Sequence, residues 1–374
     1  MWDVIVVGLG AMGSSALYEL SRRGLHVLGL EAFEPGHRLG SSHGESRIIR
    51  LAYHEHPNYV PLLRRAYSRW STLQAESGEE LLTITGGLMI GRPSSEVVSG
   101  ARASAEQHHL DHELLSGDEL RYRYPALQPA KDDVALWEPA SGFLRPERCI
   151  ETFIHLAVGA ETRYAEPVRT WRSDSDSVEV RTDTDTYRAS HLVVTCGARI
   201  SGVLGADIPP VTAERAVLFW LEPSQRDLFA QGRLPIYIWD ADVEGAFYGF
   251  PHVDWPGVKV ARHHSGQVCE PDTVDRRVNA EDERDLRGLI AGRMPLLERG
   301  PVTNSLVCLY ENSPDHHFLI DRVPDQPNVI YAGGFSGHGF KFASVVGEIL
   351  ADLVTQGEAT PDADFLRARR LISA

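Results

Sequence analysis

The stretch DVIVVGLGAMG at residues 3–13 decides the fold of this chain. Its first half is a short apolar run ending in glycine, which is typical of a parallel β-strand buried on both faces. Gly8, Gly10 and Gly13 form a GxGxxG pattern at the start of a helix predicted over residues 12–23. The first glycine permits a tight turn, the second lets a pyrophosphate approach the backbone, and the third allows close helix–strand packing. The stretch predicts a Rossmann-like unit that binds a dinucleotide.

The next predicted strand, residues 26–30, ends at Glu31. A carboxylate at this position accepts hydrogen bonds from a ribose and disfavours a 2′-phosphate, so NADP is the least expected dinucleotide. The glycine pattern and the acid together do not separate FAD from NAD.

The end of the chain repeats the opening pattern. NVIYAG at residues 328–333 predicts a buried strand, residues 334–339 a glycine-rich turn with Gly337 and Gly339, and residues 341–353 a helix. A second helix N-terminus suits a flavin, because reduction places negative charge on the N1/C2 edge of the ring. The alternative is a flexible loop before an ordinary amphipathic helix.

The middle of the chain is rich in β-branched and aromatic residues, which favour strands. We expect a buried strand within residues 187–197, helices near residues 59–74 and 101–109, and one mainly antiparallel sheet. That sheet is predicted from residues 216–221, 236–239, 246–250, 258–262 and 306–310. The predicted fold class is α/β, with a discontinuous FAD-binding domain (residues 1–80, 145–215 and 315–374) and a substrate domain (residues 81–144 and 216–314).

Composition limits the possible partners. The 374 residues carry a net charge of −15, which disfavours nucleic acid and anionic membrane surfaces. No apolar run approaches the roughly 18 residues of a membrane span, and the N-terminus lacks a basic signal region, so we expect a cytoplasmic protein. The four cysteines form no CxxC pair and the adjacent His316 and His317 fit no metal motif; neither a disulfide nor a metal is predicted.

Lysine is rare in this chain. Only Lys131, Lys259 and Lys341 occur, against 37 basic residues in total. A chain that uses arginine almost everywhere keeps lysine where a compact ammonium, with a pKa that burial can lower, is chemically useful. Lys259 and Lys341 are therefore candidates, whereas Lys131 has a polar setting typical of the surface.

Four motifs carry a resemblance to a known family. They are GESRIIRLAY (residues 44–53), FYGFP with VKVARH (247–263), CLYENSPDHHFLID (308–321) and GFSGHGFKFAS (334–344). In this order they resemble the monomeric sarcosine oxidase and N-methyltryptophan oxidase family. The resemblance implies a monomeric flavoprotein that oxidises secondary amino acids with O2 and releases H2O2, with FAD held through a cysteine thioether.

The resemblance also implies roles for single residues. Cys308 matches the flavin-linking cysteine, Arg50 and Lys341 the pair that binds the substrate carboxylate, and Lys259 the lysine that activates oxygen. Arg47 matches an arginine beside the flavin ring. Further matches on the substrate side are Tyr248, His263, Tyr310 and Trp239; further matches on the cofactor side are Ser41, His43, Gly337, His338 and Gly339.

Three departures from the family pattern leave the substrate open. Trp239 stands where a methionine is expected near the substrate, Arg262 replaces an aromatic residue, and Ser41 replaces a histidine. Candidate substrates are sarcosine, N-methyltryptophan and cyclic imino acids. Three other functions stay possible at this stage: a flavin dehydrogenase with a quinone or carrier as acceptor, an NAD-dependent dehydrogenase, and a non-catalytic nucleotide-binding module.

Overall fold

The computed structural model describes residues 1–372 and contains two eight-stranded sheets. The first sheet, named here the nucleotide sheet, has five parallel strands in the order β9-β2-β1-β12-β19, with β18 and a β10–β11 hairpin added antiparallel. Its strands are β1 (Trp2–Val7), β2 (Val27–Leu30), β9 (Glu161–Arg163), β10 (Thr170–Ser173), β11 (Val178–Arg181), β12 (Thr186–Val194), β18 (Leu319–Val323) and β19 (Gln326–Gly333).

The second sheet, named the cover sheet, has the order β17-β13-β16-β15-β14-β5-β7-β6 and is antiparallel except for the β14–β5 pair. The five strands predicted from the middle of the chain all belong to it. Its strands are β5 (Gly87–Gly91), β6 (Glu113–Ser116), β7 (Val134–Glu138), β13 (Thr212–Leu221), β14 (Ile236–Asp240), β15 (Ala246–Gly249), β16 (Val258–His263) and β17 (Val302–Asn312). A small third sheet joins β3 (Arg47–Ile49), β4 (Leu82–Ile84) and β8 (Gly142–Leu144).

Helices cover the nucleotide sheet, and helices also pack on both faces of the cover sheet, α7 on one and α3 on the other. The largest cluster of buried apolar side chains joins α1, α2 and α8 to the nucleotide sheet, and a second cluster joins α7 to the cover sheet. The helices are α1 (Ala11–Arg22), α2 (Tyr59–Ser77), α3 (Glu96–His108), α4 (Gly117–Arg123), α5 (Pro146–Leu156), α6 (Ile200–Leu204), α7 (Ala280–Ile290), α8 (Ala343–Gln356) and α9 (Arg369–Ile372). Among residues 1–372, no helix is both long and apolar enough to cross a membrane.

The predicted last helix begins later than expected. Residues Phe340–Phe342 form a 3-10 turn, in which the Phe342 N–H donates to Gly339 O, and α8 begins at Ala343. Lys341 therefore lies in the tight turn before the helix. The sequence analysis did not predict α4, α5 or α7.

Candidate active site

Two cavities meet between the nucleotide sheet and the cover sheet. The large cavity has a volume of about 1010 Å³ and extends along the carboxyl ends of β1, β2 and β12, whereas the small cavity measures about 60 Å³. Both are lined by Arg47, Tyr310, Gly337 and Phe340, so they share a wall. A crevice at the carboxyl ends of parallel strands is where this kind of sheet binds its ligands.

In the glycine turn at the N-terminus of α1, only Gly10 leaves room for a ligand to approach the main chain. A Cβ added at Gly13 would lie 1.7 Å from Gly8 O, so close packing of α1 on β1 requires glycine there. A Cβ at Gly10 would meet only Ser42 Oγ at 3.7 Å and would project into the space that the large cavity provides. Free N–H groups at this helix end fit a pyrophosphate.

Glu31 lies at the end of β2 and lines the large cavity. Its carboxylate accepts from Leu9 N at 2.8 Å and from Phe33 N at 3.1 Å, and His37 Nε2 lies 3.5 Å away. Burial raises the pKa of Glu31, but His37 and these N–H groups outweigh burial and lower it. An ionised carboxylate with free lone pairs fits a ribose, which supports the dinucleotide prediction.

Arg47 anchors the loop that separates the two cavities. Its guanidinium donates to Ser41 O at 2.8 Å, His43 O at 2.6 Å and Ser46 O at 2.9 Å. The sulfur of Cys308, a buried residue lining the small cavity, lies 3.6 Å from Arg47 Nη2. Ser41 lines the large cavity with a buried hydroxyl that has no partner among the described residues.

Two buried cations face the small cavity. Arg50 is 1 % exposed and Lys341 is 5 % exposed. Arg50 pairs with Glu55 at 2.6 Å, and Lys341 Nζ donates to His338 O at 2.6 Å. Burial and the nearby Arg50 lower the pKa of Lys341 to about 7. Burial raises the pKa of Glu55, but Arg50 and His54 outweigh it and hold the carboxyl ionised. One internal acid therefore balances two cations.

Tyrosine and imidazole side chains form the rest of the small cavity. Tyr248, His263 and Tyr310 line it, and His263 Nδ1 lies 3.3 Å from Tyr310 Oη. Burial lowers the pKa of His263 well below its usual value and that of His338 to about 3. Both imidazoles are therefore neutral near pH 7, and neither adds charge to the cavity.

Lys259 and His43 line neither cavity. Lys259 lies behind the loop of residues 44–46, where its Nζ donates to Gly44 O at 2.5 Å, Ser46 O at 2.8 Å and Ser46 Oγ at 3.2 Å. Burial and Arg47 lower the pKa of Lys259. His43 is 2 % exposed and its ring nitrogens have no partner among the described residues. Neither side chain reaches a cavity wall in this structure.

The prediction that Trp239 lines the substrate site is wrong. Side chains alternate along a strand, and on β14 Ile238 faces the small cavity while Trp239 points to the opposite face. There Trp239 is fully buried and stacks on Phe247, with ring centroids 5.6 Å apart. The error is one residue of register, which moves a side chain to the other side of the sheet.

Several lining residues escaped the sequence analysis. His54 and Glu55 follow the GESRIIRLAY motif directly and line the small cavity. Glu311 lines the large cavity and follows Tyr310 on β17. Adjacency to the motif could have found His54 and Glu55, since a loop that carries a site residue exposes its neighbours to the same cavity. Glu311 lies within the quoted motif at residues 308–321, where its burial was the missing signal.

Comparisons with known proteins find similarity over nearly the whole chain. The model of the FAD dependent oxidoreductase family matches residues 3–353. Monomeric sarcosine oxidase from Streptomyces avermitilis is 44% identical over 380 residues, covering 100% of this chain and 98% of that protein. Monomeric sarcosine oxidase from Bacillus sp. (strain NS-129) is 38% identical, covering 99% and 97%. N-methyl-L-tryptophan oxidase from Yersinia pestis is 34% identical, covering 96% of each chain.

Solved structures share the whole fold at lower identity. L-proline dehydrogenase from P. horikoshii superposes with a TM-score of 0.86 at 21% identity, covering 100% of this chain and 98% of that one. NikD, an amino acid oxidase of nikkomycin biosynthesis, gives 0.86 at 23% identity, covering 98% and 97%. These likenesses confirm the predicted fold class, an α/β protein with a Rossmann-like domain.

Proposed function

This chain belongs to the family of FAD-dependent oxidoreductases, and from that premise we propose that it is an oxidase of secondary amino acids, N-methylated or cyclic. The family resemblance and the flavoenzyme function predicted from the motifs are confirmed at that level. The observation that carries the choice of substrate is the pair of buried cations, Arg50 and Lys341, in a cavity that shares a wall with the dinucleotide cavity.

The residues of the large cavity fit FAD. Gly8, Gly10 and the N-terminus of α1 would hold the pyrophosphate, Glu31 the ribose, and Gly337 and Gly339 the flavin end. When bound, FAD accepts the hydride equivalent from substrate and passes the electrons to O2, which yields H2O2. Everything else in the reaction is positioning and electrostatics supplied by the chain.

Arg50 and Lys341 would bind the substrate carboxylate. A guanidinium fork and an ammonium both form charge-assisted hydrogen bonds with a carboxylate, and fixing that end orients the reacting carbon. Glu55 already occupies Arg50 at 2.6 Å, so the incoming carboxylate competes with an internal one. The same cations lower the pKa of the substrate amine, which favours its neutral, oxidisable form. The neutral His263 adds no competing charge. If the anaerobic reduction rate followed no amine ionisation across pH, this account of the amine would be wrong.

Cys308 would carry the flavin through a thioether. Its sulfur lines the small cavity and lies 3.6 Å from Nη2 of the Arg47 guanidinium, which is the position that a thioether to the flavin would require. Acid precipitation tests this directly, because covalent flavin stays yellow in the pellet. We expect Cys308→Ser to release flavin into the supernatant, whereas Cys196→Ser, at a cysteine that lines the large cavity, should not. A colourless pellet from the unaltered protein would overturn the linkage.

Lys259 favours an oxidase over a dehydrogenase. A fixed ammonium near the flavin stabilises the superoxide formed by the first electron transfer to oxygen. Its three donors are all held by Gly44 and Ser46, so Lys259 contributes charge rather than a hydrogen bond. Lys259→Met should slow reoxidation by O2 and leave anaerobic reduction by substrate largely intact. Equal oxygen reactivity in both proteins would favour a quinone or carrier as acceptor.

A substrate panel tests the function as a whole. Peroxide release should be measured with sarcosine, N-methyltryptophan, pipecolate, proline and a primary amino acid such as alanine as the control. We expect turnover of at least one secondary amino acid and little with alanine. Bound flavin without any turnover would support a non-catalytic module, and colourless protein an NAD enzyme.

We also propose the domain division predicted from the sequence, with residues 1–80, 145–215 and 315–374 around FAD and residues 81–144 and 216–314 over the flavin ring. The nucleotide sheet draws its strands from the first set, and the cover sheet draws seven of its eight strands wholly from the second. Strand β13 crosses the proposed boundary. A monomer, which the name of the relatives suggests, is testable by light scattering. The cytoplasmic location stays a prediction.

A further inference from the structure

Tyr53 lies directly beneath the two cations of the small cavity. It is fully buried and lines neither cavity, so it can act on a bound ligand only through its neighbours. Its ring centroid lies 4.3 Å from Arg50 Cζ and 5.1 Å from Lys341 Nζ. Both distances fall within the roughly 6 Å over which an aromatic face attracts a cation. One ring therefore faces both groups of the proposed carboxylate site.

The hydroxyl of Tyr53 belongs to a hydrogen-bond chain with a fixed direction. His338 Nε2 lies 3.0 Å from His316 O, and a carbonyl only accepts, so Nε2 carries the proton. The other nitrogen of a neutral imidazole is an acceptor, and His338 Nδ1 lies 2.6 Å from Tyr53 Oη. Tyr53 therefore donates to His338. Its oxygen is left to accept from Lys341 Nζ at 3.4 Å.

Lys341 needs this support because burial and the nearby Arg50 both disfavour its charged form. Arg50 repels it, and the counter-charge of Glu55 is already engaged by Arg50. The groups that favour the ammonium are the Glu55 carboxylate, His338 O at 2.6 Å, the Tyr53 oxygen, and the ring faces of Tyr53 and of Phe342, 5.7 Å away. Trp70 Nε1 fixes the backbone of the same residue by donating to Lys341 O at 2.8 Å.

We propose that Tyr53 is a positioning residue that holds Arg50 and Lys341 side by side and keeps Lys341 an ammonium, so that the pair can bind the carboxylate of an amino acid. This inference rests on the proposed function, because it assigns Tyr53 to the substrate site named there. It deepens that function by adding a residue that acts only through its neighbours.

The test compares Tyr53→Phe with Tyr59→Phe in the flavin-containing protein. Tyr59 is the matched control: it is equally buried, its ring lies 5.1 Å from that of Tyr53, and its hydroxyl contacts His317 and Phe318 instead of the cations. The probe is acetate, a carboxylate without an amine, whose binding is followed by the change in flavin absorbance between pH 6 and 9.

For Tyr53→Phe we expect acetate affinity and 1/KM for the best substrate of the panel to fall about tenfold near pH 7, the usual size of one lost hydrogen bond to a charged group. The loss of acetate affinity at rising pH should begin about one pH unit lower. The value of kcat should change much less than KM. Tyr59→Phe should leave affinity and pH dependence unchanged, even if it lowers the melting temperature as much.

Two outcomes would overturn the inference. One is a Tyr53→Phe protein that binds acetate as the unaltered protein does at every pH. The other needs no variant: imidazole ¹⁵N shifts that show His338 protonated at Nδ1 would reverse the hydrogen-bond chain. Failure of the proposed function looks different, because Lys341→Met would then leave acetate affinity unchanged in a protein whose Tyr53 is intact.

Discussion

The two cavities of this protein differ in the kind of atoms that form their walls. The glycine turn of the large cavity is made by main-chain atoms: Gly8, Gly10 and Gly13 contribute no side chain, and the N-terminus of α1 supplies N–H groups. The small cavity is made by side chains, among them Arg50, Glu55 and Lys341. The first wall is fixed once β1 and α1 form, whereas the second depends on the rotamers and charges of residues from distant segments.

This difference explains which contacts tolerate change. A backbone wall fails when a side-chain atom is added to it, because the main chain has no alternative rotamer. A side-chain wall can adjust its shape, but its charges are coupled, so removing one partner leaves another buried and unpaired. The comparison predicts steric failures in the large cavity and electrostatic ones in the small cavity.

The largest effect is expected from Gly13→Ala. The new Cβ would lie 1.7 Å from Gly8 O and 2.6 Å from Thr195 Oγ1, so α1 must move away from β1 and flavin binding should be lost. Gly10→Ala is the control for the fold alone: its Cβ meets only Ser42 Oγ at 3.7 Å, so the melting temperature should stay the same even though the methyl group projects into the large cavity. Flavin absorbance per mole of protein and the melting temperature measure the two effects. Retention of bound flavin by Gly13→Ala would contradict the expected steric failure.

The same difference decides what could be predicted from the sequence. The glycine turn, the strand ending at Glu31 and the five strands of the cover sheet follow local patterns, and the structure contains them. The register of Trp239 and Ile238 does not follow from composition, because both residues suit a buried strand. Trp239 packs in the cluster that contains α7, and Ile238 packs in the cluster that contains α3 on the other face. The pairing of Arg50 with Glu55 depends on how the loop after β3 folds back.

Trp239 and Ile238 are neighbours on β14 whose side chains lie on opposite faces of the sheet, so substitutions at the two positions should have different effects. Trp239→Ala should lower the free energy of unfolding by about 3–5 kcal/mol, as expected for a large buried aromatic side chain, and leave KM nearly unchanged. Ile238→Val should cost about 1 kcal/mol and shift the preference between sarcosine and N-methylalanine by about tenfold, since it enlarges the small cavity. Urea unfolding and steady-state kinetics measure both. A change of substrate preference in Trp239→Ala would show that Trp239 does contribute to the substrate site.

Glu311 is a buried acid that also lines the large cavity. Burial raises its pKa to about 8, although the N–H groups of Gly334 and Phe335 act against the shift. Between its ordinary pKa and about 8 the folded state therefore holds one more proton than the unfolded state, so stability falls as pH rises. Glu311→Gln should remove this slope and raise the free energy of unfolding by about 3 kcal/mol at pH 7.

Glu31 is the matched control for that slope, because its pKa is lowered in the folded state. Its contribution is present above the ordinary carboxyl pKa and is lost as pH falls, so Glu31→Gln should lower stability at pH 7. Urea unfolding between pH 5 and 8 compares the two variants. Parallel pH profiles for both would mean that Glu311 is ionised in the folded protein.

The smallest effect is the pH dependence of the small cavity. The pKa of Lys341 is lowered to about 7 by burial and Arg50, so its charge is present below pH 7 and is lost above it. Acetate affinity should therefore fall up to tenfold per pH unit above 7, which one lost proton sets as the limit. Lys341→Arg keeps its charge throughout this range and should flatten the profile, because guanidinium does not deprotonate there. A flat profile in the unaltered protein would mean that Arg50 leaves Glu55 and binds the carboxylate alone. Acetate binding in the small cavity would then depend on pH as little as the main-chain wall of the large cavity does.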